Sequence, residues 1–154
     1  MDQTLRCARL DDFAGLRRLY AELVGDSAVP DGAAGRQRLA DILSIPGTEI
    51  CMAERGGQPV GMATLHVMPN LTFHGRPYAF IENVATLGAL QGQGIGRSVM
   101  EFACKRAWRA DAYKIMLLTG QSTGAKGFYE KLGFRATEKH GMTLRRAPPR
   151  NPKA

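Results

Sequence analysis

The sequence predicts one domain of the α/β (α+β) class over residues 1–147, in which helices cover both faces of a mixed, mostly antiparallel sheet. Three observations support this prediction. Apolar and β-branched runs alternate with segments of helical periodicity, a glycine-centred turn joins two neighbouring runs, and a glycine-rich loop separates a strand from a helix. A chain of 154 residues is long enough to bury a core. Residues 148–154 are predicted to form a disordered tail.

Composition and charge narrow the function classes. The chain is 44% hydrophobic and 23% charged, and no apolar run approaches the roughly 20 residues of a membrane span. Its first residues lack the basic region and apolar core of a signal peptide, so we expect a cytoplasmic protein with no membrane partner. The net charge of +7 suits a polyanion. Nucleic acid is one candidate, although the basic residues are not interleaved with aromatic ones, and a cofactor with several phosphates would need positive charge as well.

Neither the cysteines nor the histidines form a metal-ligand pattern. The cysteines are far apart along the chain, their odd number argues against a disulfide framework, and all lie in apolar patterns typical of a core. We therefore predict no metal site. The residues concerned are Cys7, Cys51, Cys104, His66, His74 and His140.

The first half of the chain predicts an edge strand, two helices and a hairpin. Residues 4–8 form the strand, Asp11 or Asp12 caps a helix with apolar residues at helical spacing, and residues 31–43 form a second helix. Residues 48–54 and 59–67 form an antiparallel hairpin around a glycine turn. The loop of residues 68–77 carries Leu71 and Phe73, which belong either to a dimer contact, to an acceptor pocket, or beneath their own loop.

A carboxylate interrupts the next strand, residues 78–86. Burying Glu82 costs several kcal/mol unless it is paired or lines a wet cavity. If no bulge intervenes, alternation places it on one face with Phe80, Val84 and Thr86. Glu82 is then either a paired structural acid or a general base at the carboxyl half of the strand, where ligands bind in open α/β sheets.

A glycine-rich loop, residues 91–98, follows this strand and opens a helix over residues 95–110. Glycines at alternate positions remove the Cβ atoms that would keep a ligand from the backbone N–H groups at the helix start. The helix dipole favours an anion there, such as a phosphate or diphosphate. The dinucleotide-binding and P-loop templates both fail on spacing, which leaves Gln-x-x-Gly-x-Gly. A plain strand-to-helix turn is the alternative.

The last third of the chain predicts a parallel strand, a short helix and a closing hairpin. Residues 114–119 form a strand buried on both faces and parallel to the previous one. Ser122 is the expected N-cap and Gly133 the C-cap of a short helix. Residues 134–139 and 141–145 form the hairpin, which raises the sheet to about six or seven strands.

Two motifs resemble the GNAT superfamily of N-acyltransferases. Gln91-x-x-Gly94-x-Gly96 is similar to its acyl-CoA diphosphate loop, and the second motif is Phe-Tyr-Glu-Lys-Leu-Gly-Phe at residues 128–134. The resemblance covers roughly residues 49–145, and within it Ile-Glu-Asn-Val at 81–84 looks similar to glucosamine-phosphate N-acetyltransferases. It implies a GNAT fold with a splayed parallel strand pair that holds acyl-CoA. One departure is Ser122, where many members carry the asparagine that contacts the pantetheine arm.

The resemblance also implies a reaction, the transfer of the acetyl group of acetyl-CoA to a primary amine of a small molecule by direct attack. Glu82, its pKa expected to rise from burial, would act as the base, directly or through water, and Tyr129 would protonate the departing thiolate. Protein lysine or N-terminal acetylation is an alternative, as is a non-catalytic acyl-CoA-sensing or nucleic-acid-binding module. A homodimer is a further expectation. The implied cofactor-binding residues are Val84, Ala85, Thr86, Gln91, Gly92, Gln93, Gly94, Ile95, Gly96, Arg97, Ser98, Ser122 and Lys126.

Overall fold

The computed structural model describes residues 2–146, which fall into two compact units, Met1–Leu117 and Leu118–Ala154. The predicted tail, residues 148–154, lies outside the described residues. The first unit holds the sheet and most of the helices, and the second holds one short helix. In chain order the elements are β1 Thr4–Cys7, α1 Phe13–Val24, α2 Gly32–Leu43, β2 Thr48–Arg55, β3 Gln58–Met68, the single turn α3 Thr72–Gly75, β4 Tyr78–Thr86, α4 Ile95–Arg109, β5 Ile115–Leu117 and α5 Lys126–Glu130.

The sheet is mixed and mostly antiparallel, as predicted. Its strand order is β1-β2-β3-β4-β5, with antiparallel pairing up to β4 and parallel pairing between β4 and β5. The parallel ladder is short, because it begins at Ala79↔Ile115 and ends at Ile81↔Leu117. Within residues 2–146, the rest of β4 therefore has no strand partner on its β5 side.

Helices cover both faces of the sheet, which is also as predicted. On one face, α1 and α2 bury Leu16, Leu19 and Leu39 against Met52 and Met62. Each such side chain contributes about 1.5–3 kcal/mol on burial, so this cluster is a large part of the core stability. On the other face α4 lies over β3, where the absence of a side chain at Gly61 admits Ile95. A Cβ at Gly61 would lie 2.6 Å from Ile95 Cγ2.

The predicted closing hairpin does not form. Residues 134–146 are turns and irregular chain, and nearly all of their side chains are exposed. Apolar residues are sparse there, so no alternating apolar face exists to be buried, and Arg135 pairs locally with Glu138. The described part of the chain accordingly has five strands instead of six or seven.

The short helix of the second unit begins later than predicted. α5 starts at Lys126 with Ala125 at the N-cap, so Ser122 is not the cap. A turn uses the preceding residues, since Thr123 Oγ1 donates to the Gly120 carbonyl oxygen at 2.8 Å. The end of the helix agrees better with the prediction, because Gly133 has a φ of 93°.

The loop before β4 is open to solvent. Leu71 is 92% exposed, whereas Phe73 stacks on Tyr113 with ring centroids 4.3 Å apart. Phe73 is thus partly held by the body of the first unit, and Leu71 is not. None of the helices within residues 2–146 combines the length and the apolar composition that crossing a bilayer requires.

Candidate active site

The glycine-rich loop forms an open cradle at the start of α4. Gly94 is the N-cap residue with a φ of 81°, and no side chain in residues 2–146 caps this helix end. The first intrahelical bond there runs from Ser98 N to the Gly94 oxygen, so the N–H groups before it point out of the helix. A Cβ at Gly92 or Gly94 would meet nothing within 4 Å. The space beside these backbone donors is therefore free for an anion.

The polar side chains of the loop mostly support the loop itself. Gln91 Nε2 donates to the Thr86 oxygen at 3.3 Å and so ties the loop to the end of β4. Ser98 Oγ donates to the Gly94 oxygen at 3.2 Å. Ile95 is buried against β3, so its side chain is an anchor and only its backbone N–H faces the cradle. Arg97 lies 3.7 Å from Glu101 one turn along the exposed side of α4.

Arg55 is a residue of this site that sequence reasoning missed. It ends β2, and its Nη1 donates to Gln93 Oε1 in the glycine-rich loop at 2.7 Å. Its Nε is buried and has no hydrogen-bond partner among the described atoms. The only sequence signal was an arginine beside a glycine turn, which does not by itself distinguish a functional residue from an ordinary exposed one. The hydrogen bond of this guanidinium therefore links the hairpin to the glycine-rich loop, and its positive charge lies beside the cradle.

A β-bulge after Glu82 changes which residues of β4 share a face with it. Asn83 has a φ of 52°, and the register between β3 and β4 shifts between the pairs Met62↔Ala85 and Thr64↔Glu82. Because directly paired residues point to the same face, Glu82 shares a face with Ala85, while Thr86, paired with Gly61, lies on the other. The condition for the predicted alternation is therefore not met: Glu82 shares a face with Phe80, whose partner is His66, but not with Thr86.

Glu82 is also exposed and not buried as predicted. The bulge turns this stretch of β4 outward, and Asn83 beside it is exposed too. Glu82 lies on the α1 side of the sheet, where its strand partner Thr64 is 3.5 Å from the hydroxyl of Tyr20. Burial raises the pKa of Tyr20, which keeps that hydroxyl protonated. The carboxylate of Glu82 is open to water and to a ligand.

The carboxyl half of β4 presents backbone on the side that faces away from β3. Val84, Ala85 and Thr86 follow the bulge, and the ladder to β5 has already ended at Ile81. Ala85 is buried and its two neighbours are half-buried, so their side chains anchor the strand. An extended ligand could add to this edge as a further strand does.

A cavity of about 180 Å³ lies between α1 and α2. Its lining is mainly apolar, and Tyr20 joins it to the face of the sheet that carries Glu82. Arg17 and Arg38 are the charged residues of its lining. Arg17 Nη1 donates a hydrogen bond to Asp26 Oδ1 at 2.7 Å, and Arg38 Nη1 lies 3.6 Å from Asp41 Oδ2.

The second unit carries the remaining residues of the prediction. Tyr129 is half-buried, and its ring makes edge contacts with Phe128 and Phe134, at centroid distances of 5.0 and 6.2 Å. Ser122 is exposed, and Lys126 lies 3.6 Å from Glu130 on the next turn. The aromatic contacts fix the ring plane of Tyr129, which a proton donor requires.

The structure corrects the argument that the cysteines are too far apart to share a site. Cys7 and Cys51 are paired residues on adjacent strands. Their two sulfur atoms and one carboxylate oxygen of Glu49 all lie within 4.8 Å of one another. Separation along the chain does not measure separation in a sheet. Cys104 lies on α4 and is half-buried.

Comparison with known proteins gives consistent relatives. The family model described as "Acetyltransferase (GNAT) family" matches residues 16–134. A glucosamine 6-phosphate N-acetyltransferase of Trypanosoma brucei brucei is 30% identical over 141 residues, which are 90% of this chain and 93% of that protein. An aminoalkylphosphonate N-acetyltransferase of Salmonella typhimurium is 30% identical over 132 residues, 85% of this chain and 84% of that protein. A solved structure from Agrobacterium tumefaciens str. C58, described as a candidate acetyltransferase, has a TM-score of 0.86 and 42% identity, and covers 93% of this chain and 99% of its own.

Proposed function

Because the chain belongs to the acetyltransferase (GNAT) family and is an acetyl-CoA-dependent transferase, we propose that it acetylates the primary amine of a small molecule by direct attack on the thioester. The observation that carries the proposal is the uncapped start of α4, which follows, after the glycine-rich loop, the end of β4 that has no strand partner on its β5 side. The start of α4 suits the diphosphate of coenzyme A, and the free edge of β4 suits its extended pantetheine arm.

The glycine-rich loop is the proposed diphosphate site. The free backbone N–H groups from Gly92 to Arg97 would bind the phosphate oxygens, helped by the positive end of the helix dipole. The empty space at the Cβ positions of Gly92 and Gly94 supports this assignment. Arg97 and Lys126 would contribute charge through flexible side chains that are exposed.

The edge of β4 is the proposed site of the pantetheine arm. The backbone of Val84, Ala85 and Thr86 would pair with the arm as with an added strand, and one N–H would stabilise the thioester oxygen as charge develops on it. Ser122 is proposed as a second contact of the arm, on the basis of its position before the tyrosine motif.

Two side chains are proposed to move protons. An amine with a pKa of about 10.4 is almost wholly protonated at neutral pH, so a base must deprotonate it before attack. Glu82 is the proposed base, directly or through water, and its exposure on the α1 face leaves it accessible to the amine. Tyr129 is the proposed acid, since a phenol near pKa 10 can protonate a thiolate whose pKa is near 8.5. The support for Tyr129 is its place in the Phe-Tyr-Glu-Lys-Leu-Gly-Phe motif.

We propose further that the acceptor amine carries a phosphate or phosphonate group. The two curated relatives are named for glucosamine 6-phosphate and for aminoalkylphosphonates, and the net charge of +7 favours an anionic acceptor. A cytoplasmic location and a homodimer remain predictions from the sequence.

A panel of amines scored by the release of free thiol from acetyl-CoA tests the proposal. The panel contains phosphorylated amino sugars, aminoalkylphosphonates, their dephosphorylated counterparts, polyamines, amino acids and a lysine peptide. We expect the highest kcat/KM with the phosphorus-bearing amines, at least tenfold above their uncharged counterparts. Turnover of the lysine peptide alone would favour a protein acetyltransferase. Thiol release with no amine, or a salt-sensitive shift of DNA without thiol release, would contradict the proposal.

A further inference from the structure

Two cysteines face each other across the first pair of strands. Cys7 on β1 is the register partner of Cys51 on β2. The neighbouring pair is hydrogen-bonded, because Ala8 N donates to the Ile50 oxygen at 2.8 Å, so the cysteine pair occupies a non-hydrogen-bonded position of the ladder. Cα atoms at such positions are about 4.5 Å apart, which lies within the range that a disulfide spans. The backbone is therefore already placed for a bond between the two sulfur atoms.

The surroundings distinguish the two thiols. Cys51 is fully buried beneath α4, whereas Cys7 lies on the edge strand and is half-buried. The Cys7 thiol is 3.7 Å from Glu49 Oε2, and Glu49 is held by a bidentate ion pair with Arg106 of α4. Cys7 is thus the sulfur that a small molecule reaches first, and Cys51 lies directly behind it.

The electrostatics of the cluster favour a reactive Cys7. Interaction with the neighbouring Cys51 thiol lowers the pKa of Cys7, and the Arg106 guanidinium acts in the same direction, while burial and the Glu49 carboxylate oppose them. Interaction with Cys7 and burial raise the pKa of Cys51. Burial raises the pKa of the third thiol, Cys104, to about 11. Thiolate character governs the rate of exchange with a disulfide, so Cys7 is the expected nucleophile.

We propose that Cys7 and Cys51 form a reversible cross-strand disulfide by exchange with a low-molecular-weight disulfide. The Cys7 thiolate attacks one sulfur of the small disulfide, which gives a mixed disulfide on Cys7 and releases one thiolate. Cys51 then attacks the Cys7 sulfur and the second thiolate leaves. The protein is oxidised by two electrons, the small disulfide is reduced to two thiols, and the two protons of the cysteines pass to the released thiolates.

The charges favour a disulfide over a metal ion in this cluster. Both oxygens of Glu49 accept hydrogen bonds from Arg106, so the carboxylate is already neutralised by a cation. A divalent ion bound by both thiols and this carboxylate would lie next to the guanidinium and be repelled by it. The bond would close a loop that contains α1 and α2, so oxidation should raise the thermal unfolding midpoint.

The test equilibrates the full-length protein in glutathione buffers of stepped redox potential, quenches with an alkylating reagent and maps the peptides by mass spectrometry. We expect a linked Cys7–Cys51 peptide that appears and disappears reversibly, with Cys104 alkylated as a free thiol after unfolding at every potential. Cys104→Ser is the matched control and should form the link as the parent protein does. Cys51→Ser should leave a glutathione adduct on Cys7, whereas Cys7→Ser should leave Cys51 unmodified until the protein is unfolded.

Two results would overturn the proposal. One is the recovery of Cys7 and Cys51 as free thiols at all potentials in the folded protein. The other is retention of one Zn²⁺ per chain after dialysis, lost in either cysteine variant, together with no linked peptide in the zinc-free protein. Neither readout uses acetyl transfer, so this inference stands or fails independently of the proposed function.

Discussion

At the scale of single residues, the contact of Arg55 with the glycine-rich loop can be tested directly. Its guanidinium reaches from β2 to Gln93 of the glycine-rich loop at 2.7 Å. Replacing Arg55 by Met removes that bond and one positive charge beside the cradle. A hydrogen bond to a charged group contributes about 1.5–3 kcal/mol, so we expect KM for acetyl-CoA to rise about tenfold or more with kcat changed less than twofold. Steady-state kinetics with varied acetyl-CoA measure kcat and KM separately.

Arg18→Met is the matched control for Arg55. Arg18 donates to Gln58 of the same hairpin at 2.9 Å, and its loss changes the net charge equally. Arg55→Lys should recover part of the affinity. The effects of Arg55→Met and Gln93→Ala should be non-additive, because they remove the same bond. Equal KM values for the Arg55 and Arg18 variants would show that only the overall charge matters.

Glu82→Gln tests the proposed base. The substitution keeps the size of the side chain and removes its ability to accept a proton at neutral pH. We expect kcat to fall about 100-fold or more, with KM for acetyl-CoA unchanged, and the remaining rate to rise with pH as the free amine forms. Glu138→Gln, which alters an exposed residue paired with Arg135, is the control. A pH–rate profile of Glu82→Gln that matches the parent enzyme would assign the base to another group.

Tyr129→Phe tests the proposed acid. The phenyl ring preserves the edge contacts with Phe128 and Phe134, so the variant should unfold at nearly the parent temperature. Without the hydroxyl the thiolate must take its proton from water, and we expect kcat to fall about 100-fold. Pre-steady-state measurement of thiol release detects this step. The assignment fails if Tyr129→Phe turns over at the parent rate.

At the scale of elements, the start of α4 has the geometry that an anion site needs. Gly94 has a φ of 81° and open space at its Cβ position, so Gly94→Ala introduces backbone strain of about 1–2 kcal/mol and places a methyl group in the cradle. We expect a lower unfolding midpoint and a KM for acetyl-CoA raised severalfold. Gly57→Ala is the control, since Gly57 in the turn between β2 and β3 also has a positive φ, of 73°, and open surroundings. It should lose similar stability and keep the KM of the parent enzyme.

The bulge of β4 is the second decisive element. It places Glu82 and Ala85 on one face and moves Thr86 to the other. The parallel ladder to β5 ends just before it, at Ile81. One extra residue therefore brings Ala85 onto the face of Glu82, and it lies near the point where the edge of the strand becomes free for a ligand.

At the scale of the whole molecule, two part-buried ion pairs make stability depend on pH. The Arg6 guanidinium lowers the pKa of Asp12, and the Arg106 guanidinium lowers the pKa of Glu49. Because each folded-state pKa lies below the unfolded value, both pairs stabilise the protein fully above about pH 5, and that stabilisation is lost as the pH falls through the folded values. We expect the unfolding midpoint to fall steeply between about pH 4 and pH 2.

Asp12→Asn and Glu49→Gln separate this effect from general acid unfolding. Each variant should be less stable than the parent protein at pH 7, and its midpoint should fall less steeply in acid, because the titrating group is gone. Asp41→Asn, at an exposed position, serves as the control. Calorimetric scans across the pH range provide the measurement, and parallel curves for parent and variants would contradict the assignment.

The elements with a clear apolar periodicity, or with clear turn residues at their ends, could be predicted from the sequence. The observed β4, Tyr78–Thr86, has the predicted bounds, and the hairpin and the first two helices differ from the prediction by one or two residues. The closing hairpin failed because residues 134–146 contain strand-like residues without an alternating apolar face to bury. Ser122 failed as a cap because the chain makes a separate turn before α5 begins.

The sequence by itself determined the family, because the spacing of the glycine-rich loop and the Phe-Tyr-Glu-Lys-Leu-Gly-Phe motif after it are both readable without a structure. Only the tertiary structure decided the face on which Glu82 lies, the contact of Arg55 with the loop, and the pairing of Cys7 with Cys51. The physical reason is the same in each case. Local patterns follow from backbone sterics and burial, whereas bulges and strand register arise from pairing between segments that are distant along the chain.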